Sequence, residues 1–139
     1  MRVTLSGEAL RIAGLVEAET DASVRDCLVE DERVVVLVAA GEMAAAIGPG
    51  GEHVKRIERR IGTQVTLVED ADRPEAFVAN SLAPAAVYNV TISEGEDTVA
   101  YAEVDENDRG VAIGTGGENI ETARRLAKRH HDIDDVQLT

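Results

Sequence analysis

The sequence predicts an α+β fold made of two copies of one small unit, each a three-stranded sheet packed on helices. The first observation is a repeat: residues 46–52, AIGPGGE, recur 66 positions later as AIGTGGE at residues 112–118. The second is that, in both halves, two short β-branched segments precede this motif and a helical segment follows it. A chain of 139 residues has room for two very small units.

The first half, residues 1–70, alternates between helical and strand periodicity. A helix is predicted over residues 6–18, because apolar residues recur there three and four positions apart. Residues 24–30 and 33–39 predict a hairpin, and the β-branched run at 34–38 is typical of a buried central strand. The other predicted elements are a short helix at 42–47, a helix at 52–61 and a strand at 64–69.

The second half repeats this order after a change of composition. Residues 71–84 predict a linker with a short helix at 75–82, because Pro74 suits the first turn of a helix and Pro84 ends it. The second unit is expected to occupy residues 85–139. Its predicted elements are strands at 87–93 and 98–104, a short helix at 107–113, a helix at 118–130 and a strand at 133–138.

The composition excludes several classes of protein. Three aromatic residues and no Trp argue against a recognition surface of stacked aromatic side chains. A single cysteine, Cys27, excludes an internal disulfide and a multi-cysteine zinc site. No apolar run is long enough for a membrane span, and the N-terminus has no signal-peptide core. We therefore expect a cytoplasmic monomer that does not contact the membrane.

The charge pattern predicts a protein from a salt-rich cytoplasm. The chain has 27 acidic and 14 basic residues, a formal net charge of −13, and only two lysines, Lys55 and Lys128. Excess carboxylate with little lysine keeps a protein hydrated in high salt, where self-repulsion is screened over about 3 Å at 1 M. The alternative is an ordinary acidic protein.

The two glycine clusters are the candidate binding loops. A glycine accepts positive φ and has no Cβ to keep another backbone away. Each cluster is expected to precede a helix N-terminus, where free N–H groups and the helix dipole favour phosphate. The candidate loop residues are Gly48, Pro49, Gly50, Gly51, Gly114, Thr115, Gly116 and Gly117. The alternative is a tight helix–helix connection that binds nothing.

The helices after the two loops concentrate positive charge. They contain eight of the fourteen basic residues: Lys55, Arg56, Arg59, Arg60, Arg124, Arg125, Lys128 and Arg129. In an acidic chain this concentration indicates an anion site. Since residues 124–129 contain no acid, we expect the second half to contribute more to binding. The alternative is a solvated face with ion pairs along the helix.

These motifs resemble those of a known family. The pattern IGxxG between two helices, after a hairpin, is similar to the K-homology (KH) module that binds single-stranded nucleic acid. The helix-first order resembles the type II variant, and two modules in tandem resemble archaeal NusA-like transcription factors. The resemblance covers nearly the whole chain and is carried by RDCLVEDERVVVLV (25–38), AIGPGGEHVKRIERRIG (46–62), PEAFVANSLAPA (74–85) and AIGTGGENIETARRLAKRHHDIDDVQL (112–138).

The resemblance implies an RNA-binding factor that acts with RNA polymerase in elongation, termination or antitermination. Each loop would contact the RNA backbone while a groove takes about four bases. Four residues are expected at or under the grooves, or else in the core: Ile47, Val54, Ile113 and Ile120. KH loops often carry Lys or Arg at their variable positions, whereas these loops are uncharged, so backbone N–H groups and the helix cations would supply the affinity.

The RNA-binding candidates are thus the eight loop residues together with Lys55, Arg56, Arg59, Arg124, Arg125 and Lys128. A second hypothesis is a protein-interaction adaptor on polymerase or the ribosome with vestigial RNA binding, which the uncharged loops and the acidic surface favour. No residue set predicts catalysis, and the three histidines, His53, His130 and His131, do not have metal-ligand spacing. We therefore expect no enzyme activity, no cofactor and no metal.

Overall fold

A computed structural model describes residues 5–139 and divides them into two compact units, at residues 5–70 and 71–139. Both units contain one three-stranded sheet with helices packed on it. The predicted α+β class and the two three-stranded sheets are confirmed. No helix in the described part of the chain has the length and apolar character needed to cross a membrane.

The first unit is built around a central strand. Its elements are α1 (Gly7–Glu19), β1 (Val24–Val29), β2 (Arg33–Val38), α2 (Met43–Ile47), α3 (Glu52–Ile61) and β3 (Gln64–Glu69). Strand β2 pairs antiparallel with β1 and parallel with β3. All six residues of β2 are buried, which confirms the prediction of a central strand from its β-branched run. The parallel pair requires a crossover, and α2, the first glycine loop and α3 form it.

Helix α1 is fixed to this unit at both ends. The Ser6 hydroxyl caps its start by accepting a hydrogen bond from the Ala9 N–H at 3.1 Å. Ile12 and Val16 lie on its apolar face and are buried in the core with Ile57 of α3. Near its end, Glu19 forms ion pairs with two arginines of α3, as described below. Helices α1 and α3 are therefore joined by both apolar and charged contacts.

The second unit repeats this topology. Its elements are α4 (Pro74–Ser81), β4 (Val87–Glu94), β5 (Thr98–Val104), α5 (Arg109–Ile113), α6 (Glu118–His131) and β6 (Asp135–Leu138). The strand order is β4-β5-β6, with β5 antiparallel to β4 and parallel to β6. The second glycine loop lies between α5 and α6, in the same place as the first loop in its own unit.

Helix α4, which the sequence assigns to a linker, lies within the second unit. Phe77 and Val78 are fully buried, and Val78 belongs to the core of this unit. The Phe77 ring contacts the His131 ring of α6, with centroids 4.6 Å apart, and the His131 Nε2 is 3.0 Å from the Ala71 carbonyl oxygen. Helix α4 therefore precedes and supports the second sheet as α1 does the first.

Cys27 offers a test of how tightly the first unit is packed. Its side chain is buried in β1, and burial, followed by the charges of Asp26 and Glu8, raises its pKa from 9.0 to about 11. Only the thiolate reacts with alkylating reagents. We therefore expect native Cys27 to resist iodoacetamide at pH 8 and to react only as fast as the unit unfolds. Rapid alkylation of the folded protein, followed by mass spectrometry, would contradict this packing.

Candidate nucleic-acid interface

The two glycine loops, the first at residues 48–51 and the second at 114–117, have the same backbone conformation. Gly48 and Gly114 have φ/ψ of 75/169° and 79/170°. Gly50 and Gly116 have 62/20° and 61/16°, and Gly51 and Gly117 have 76/16° and 80/13°. All six residues lie at positive φ, which L side chains rarely adopt. The predicted need for glycine therefore holds at each of these positions.

In each unit, a side-chain hydrogen bond joins the helix after the glycine loop to the helix before it, and we call this hydrogen bond the clasp. In the first unit the His53 Nδ1 lies 2.8 Å from the Ala45 carbonyl oxygen, joining α3 to α2. In the second unit the Asn119 amide donates to the Val111 carbonyl oxygen at 2.8 Å. The two clasps are related by the 66-residue repeat. Sequence reasoning missed them, because His and Asn share no obvious pattern although either can donate this hydrogen bond.

The first glycine of each loop makes room for the clasp. A Cβ on Gly48 would lie 2.4 Å from the His53 Cγ, and one on Gly114 would lie 2.7 Å from the Asn119 Cγ and 2.9 Å from its backbone N. By contrast, a Cβ on Gly50 or Gly116 would meet nothing within 4 Å. The outer face of both loops is therefore open, and only the backbone conformation requires glycine at the central position.

This difference predicts unequal costs of alanine substitution. G116A is expected to destabilise the second unit by about 1 kcal/mol, the typical cost of a left-handed conformation. G114A has a larger backbone cost, because φ/ψ of 79/170° lies in a region that essentially only glycine adopts, and its Cβ would also lie 2.9 Å from the Asn119 backbone N, so it is expected to cost about twice as much or more. Urea unfolding at constant high salt measures both. Equal costs for the two variants would show that neither the backbone conformation of Gly114 nor its contact with Asn119 constrains the loop.

Apolar side chains beside the loops separate into exposed and buried sets. Ile47 and Ile113, which immediately precede the loops, are 37% and 40% exposed. Ile120 is buried in the core of the second unit, and Val54 is half-buried against the core of the first. Ile47 and Ile113 can therefore contact a ligand, whereas Ile120 and Val54 support the fold. Val111, 45% exposed on α5, adds apolar surface that sequence reasoning did not select.

In the first unit, the cations of α3 differ in their availability. Arg56 and Arg60 both pair with Glu19, at 3.6 and 2.8 Å, and Arg56 also pairs with Glu52. The Lys55 ammonium lies 3.5 Å from the Gly50 carbonyl oxygen, at the outer limit of a hydrogen bond. Arg59 is exposed and forms no ion pair with any described residue. Lys55 and Arg59 line one shallow cleft on α3 together with Glu58.

In the second unit, the cations of α6 are paired with acids. The Arg124 guanidinium contacts Glu121 at 2.6 Å and Asp135 at 2.9 Å, and it donates to the Val136 carbonyl oxygen at 3.1 Å. The Lys128 ammonium contacts Asp132 and Asp134 at 3.1 and 2.8 Å.

These contacts also shift the protonation of Lys128 and Asp134. Hydrogen bonds, first to Asp134 and then to Asp132, raise the pKa of Lys128, and the Lys128 hydrogen bond lowers the pKa of Asp134. Arg125 and Arg129 also have interaction partners.

The acid-free stretch at 124–129 is therefore not an unpaired basic surface. Its partners come from outside the stretch, from Glu121 one turn earlier and from the aspartates that follow the helix. The prediction that the second half contributes more to binding assumed unpaired cations, and Arg124 and Lys128 do not meet that assumption. Two of these pairs, Glu121 with Arg124 and Lys128 with Asp132, have ordinary helix spacings that a count confined to residues 124–129 leaves out. The contacts of Asp134 and Asp135 arise because the turn after α6 brings these residues back to the helix.

Comparison with protein families assigns both units. Residues 10–72 match the model described as "KH domain", and residues 74–138 match the model described as "NusA-like second KH domain". The fold and the paired loops therefore define the class as a tandem of two KH modules. In the described part of the chain, no group of three His, Cys, Asp or Glu side chains is arranged to bind a metal.

Similar proteins identify the family more closely. The chain is 60% identical to the "Probable transcription termination protein NusA" of Halobacterium salinarum over the whole length of both chains. It is 63% identical to the protein of that name in Halococcus morrhuae over 99% of each, and 33% identical to the Methanocaldococcus jannaschii protein over 99% of this chain and 75% of that one. The crystal structure of APE1850 matches with a TM-score of 0.82 and 27% identity, covering 97% of this chain and 100% of that one. The chain belongs to the NusA family.

Proposed function

We propose that this chain binds single-stranded RNA through its two glycine loops and acts with RNA polymerase in transcription termination or antitermination. The observation that carries the proposal is the duplicated loop itself. Two loops with the same φ/ψ values each present an open backbone at the start of a cationic helix, and each has an exposed isoleucine beside it. A connector with no ligand does not require this open face in both copies.

The loop geometry suits a sugar-phosphate backbone. Gly50 and Gly116 have free space where a Cβ would be, so a phosphate can approach the main chain closely. The first N–H groups of α3 and α6 follow directly and favour an anion through the helix dipole. Ile47 and Ile113 supply apolar surface for unstacked bases.

The helix cations would complete the contact. We retain Lys55, Arg56, Arg59, Arg124, Arg125 and Lys128 as proposed RNA-binding residues. Arg56, Arg124 and Lys128 would have to exchange a carboxylate partner for a phosphate, and Arg125 also has a partner in the folded chain. In high salt, RNA binding gains little from counterion release, so these ion pairs would contribute little and the backbone and apolar contacts would carry more of the affinity. The halophilic origin of the first two relatives agrees with the acidic composition.

The role in transcription rests on the relatives. Three archaeal relatives carry the name of a probable transcription termination protein, and a relative from Mycobacterium bovis is named a transcription termination/antitermination protein. We extend that role to this chain, with polymerase as its protein partner and no catalytic activity of its own.

Binding of short RNA in molar KCl tests the proposal. Fluorescence anisotropy with labelled single-stranded RNA is expected to show saturable binding, with duplex RNA of the same sequence as the matched control. Duplex RNA is expected to bind more weakly, because a KH groove needs splayed bases. If the folded protein binds neither RNA, the adaptor hypothesis replaces RNA binding. A pull-down of purified polymerase in the same salt then tests that hypothesis directly.

A further inference from the structure

We infer that the two loops are not equivalent and that the first loop provides most of the RNA-backbone affinity. This inference rests on the proposed RNA binding and specifies which copy of the duplicated site does it. The acid-free sequence at residues 124–129 predicted that the second half contributes more to binding. The charged side chains around the two loops favour the first loop instead.

The decisive pair is Lys55 and Glu121, which occupy the same position in the 66-residue repeat. Both lie one turn into the helix that follows a loop. The Lys55 ammonium reaches the Gly50 carbonyl, so a cation stands directly over the first loop. In the second unit this position holds Glu121, so the second loop has no cation one turn into its helix, and the Glu121 carboxylate pairs instead with Arg124 at 2.6 Å.

The surroundings of the two helices extend this difference. Helices α3 and α6 each contain four Lys or Arg residues and two Glu residues, so their own formal charges are equal. After α3 the chain continues with the uncharged residues Gly62, Thr63 and Gln64, whereas α6 is followed by Asp132, Asp134 and Asp135. The aspartates pair with Lys128 and Arg124, and binding RNA there would require those contacts to break. On α3, Arg56 and Arg60 are likewise paired with Glu19, so the difference lies in Lys55 and Arg59.

Arg59 gives the first unit a second available cation. It lies one turn after Lys55 and lines the same cleft. That cleft also contains Glu58, whose carboxylate accepts a hydrogen bond from the Val65 N–H at 2.9 Å. The counterpart of Arg59 in the repeat is Arg125, whose cleft contains Glu121 and Asp134 together with Arg124, Lys128 and Arg129. One and two turns into the helix, the first unit therefore presents Lys55 and Arg59, whereas the second unit presents Glu121 and Arg125 at the same repeat positions.

A reciprocal charge exchange tests the inference. K55E is expected to lower the affinity for single-stranded RNA by a factor of about five, and E121K is expected to raise it by a factor of about three, within the range of exposed charge contacts. E121K also releases Arg124 from its 2.6 Å contact. R25E, on the exposed side of edge strand β1, changes the net charge as K55E does, yet it is expected to leave binding unchanged. Circular dichroism confirms the fold of each variant.

The outcomes separate the inference from the proposed function. If wild-type protein binds RNA, and K55E and R25E have equal effects or E121K weakens binding, the inference is overturned while RNA binding stands. If folded wild-type protein fails to bind single-stranded RNA, the proposed function itself is overturned and the inference falls with it.

Discussion

Two aspartates in the first loop, P49D with G50D, are expected to lower the affinity for single-stranded RNA by a factor of about ten or more, which is at least about 1.4 kcal/mol. The substitutions place two negative charges where a phosphate would approach, and they add side chains on the open face of the loop. The fold is expected to tolerate them, because Pro49 and Gly50 are exposed and a Cβ on Gly50 meets no atom within 4 Å. Aspartate is also one of the few residues that accept positive φ at moderate cost.

The second loop supplies the matched control. T115D with G116D introduces the same charges in the same backbone conformation, and a Cβ on Gly116 likewise meets nothing. We expect this variant to lose less affinity than P49D with G50D, because the first loop has Lys55 at its Gly50 carbonyl and the second unit has Glu121 at the same repeat position. Undiminished RNA binding by both variants, with circular dichroism unchanged, would remove the loops from the RNA site.

The second large effect concerns salt. Raising KCl from about 0.1 M to 1 M shortens the Debye length from about 10 Å to 3 Å and screens the repulsion that a net charge of −13 produces. We expect the free energy of unfolding to rise by about 3 kcal/mol, which corresponds to a rise in Tm of roughly 15 °C for units of this size. Individual ion pairs such as Glu19 with Arg60 weaken in salt, but the excess of carboxylates outweighs them.

A variant with fewer carboxylates tests whether charge repulsion causes the dependence of Tm on salt. E94Q with E96Q and D97N neutralises three exposed acids around the β4–β5 turn. It is expected to melt at a higher temperature than wild type in low salt and to respond less to added KCl. Differential scanning calorimetry measures both proteins over the same salt series. A Tm of wild type that stays constant across the series would contradict the prediction of adaptation to a salt-rich cytoplasm.

Local sequence signals were sufficient for most of the fold. The β-branched run of β2, the glycine clusters and the apolar spacing of α1 and α3 each specify their own conformation within a few residues. Helix α4 was harder to place, because it shares no motif with α1. Its apolar residues Phe77 and Val78 indicate that it packs, but only the tertiary structure shows that their partners lie in the second unit.

The backbone conformation of the candidate site was predictable from the sequence, but the pairing of its charged side chains was not. The glycines at 48–51 and 114–117 require positive φ whatever surrounds them, so their pattern was informative by itself. The availability of a cation instead depends on acids that are distant in sequence: Glu19 lies 41 positions before Arg60, yet their side chains are 2.8 Å apart. The clasps were missed for the same reason, since each joins two helices through a contact that no local pattern encodes.

Amide chemical-shift mapping tests the central claim most directly. Single-stranded RNA is titrated into ¹⁵N-labelled protein in molar KCl, and the shifts of all assigned amides are followed. We expect the largest changes at the amides of Ile47, Gly48, Gly50, Gly51 and Lys55, with smaller changes at residues 113–117. Saturable changes confined to surfaces away from both loops, such as β4 or the exposed side of α1, would show that RNA binds elsewhere and would contradict the account.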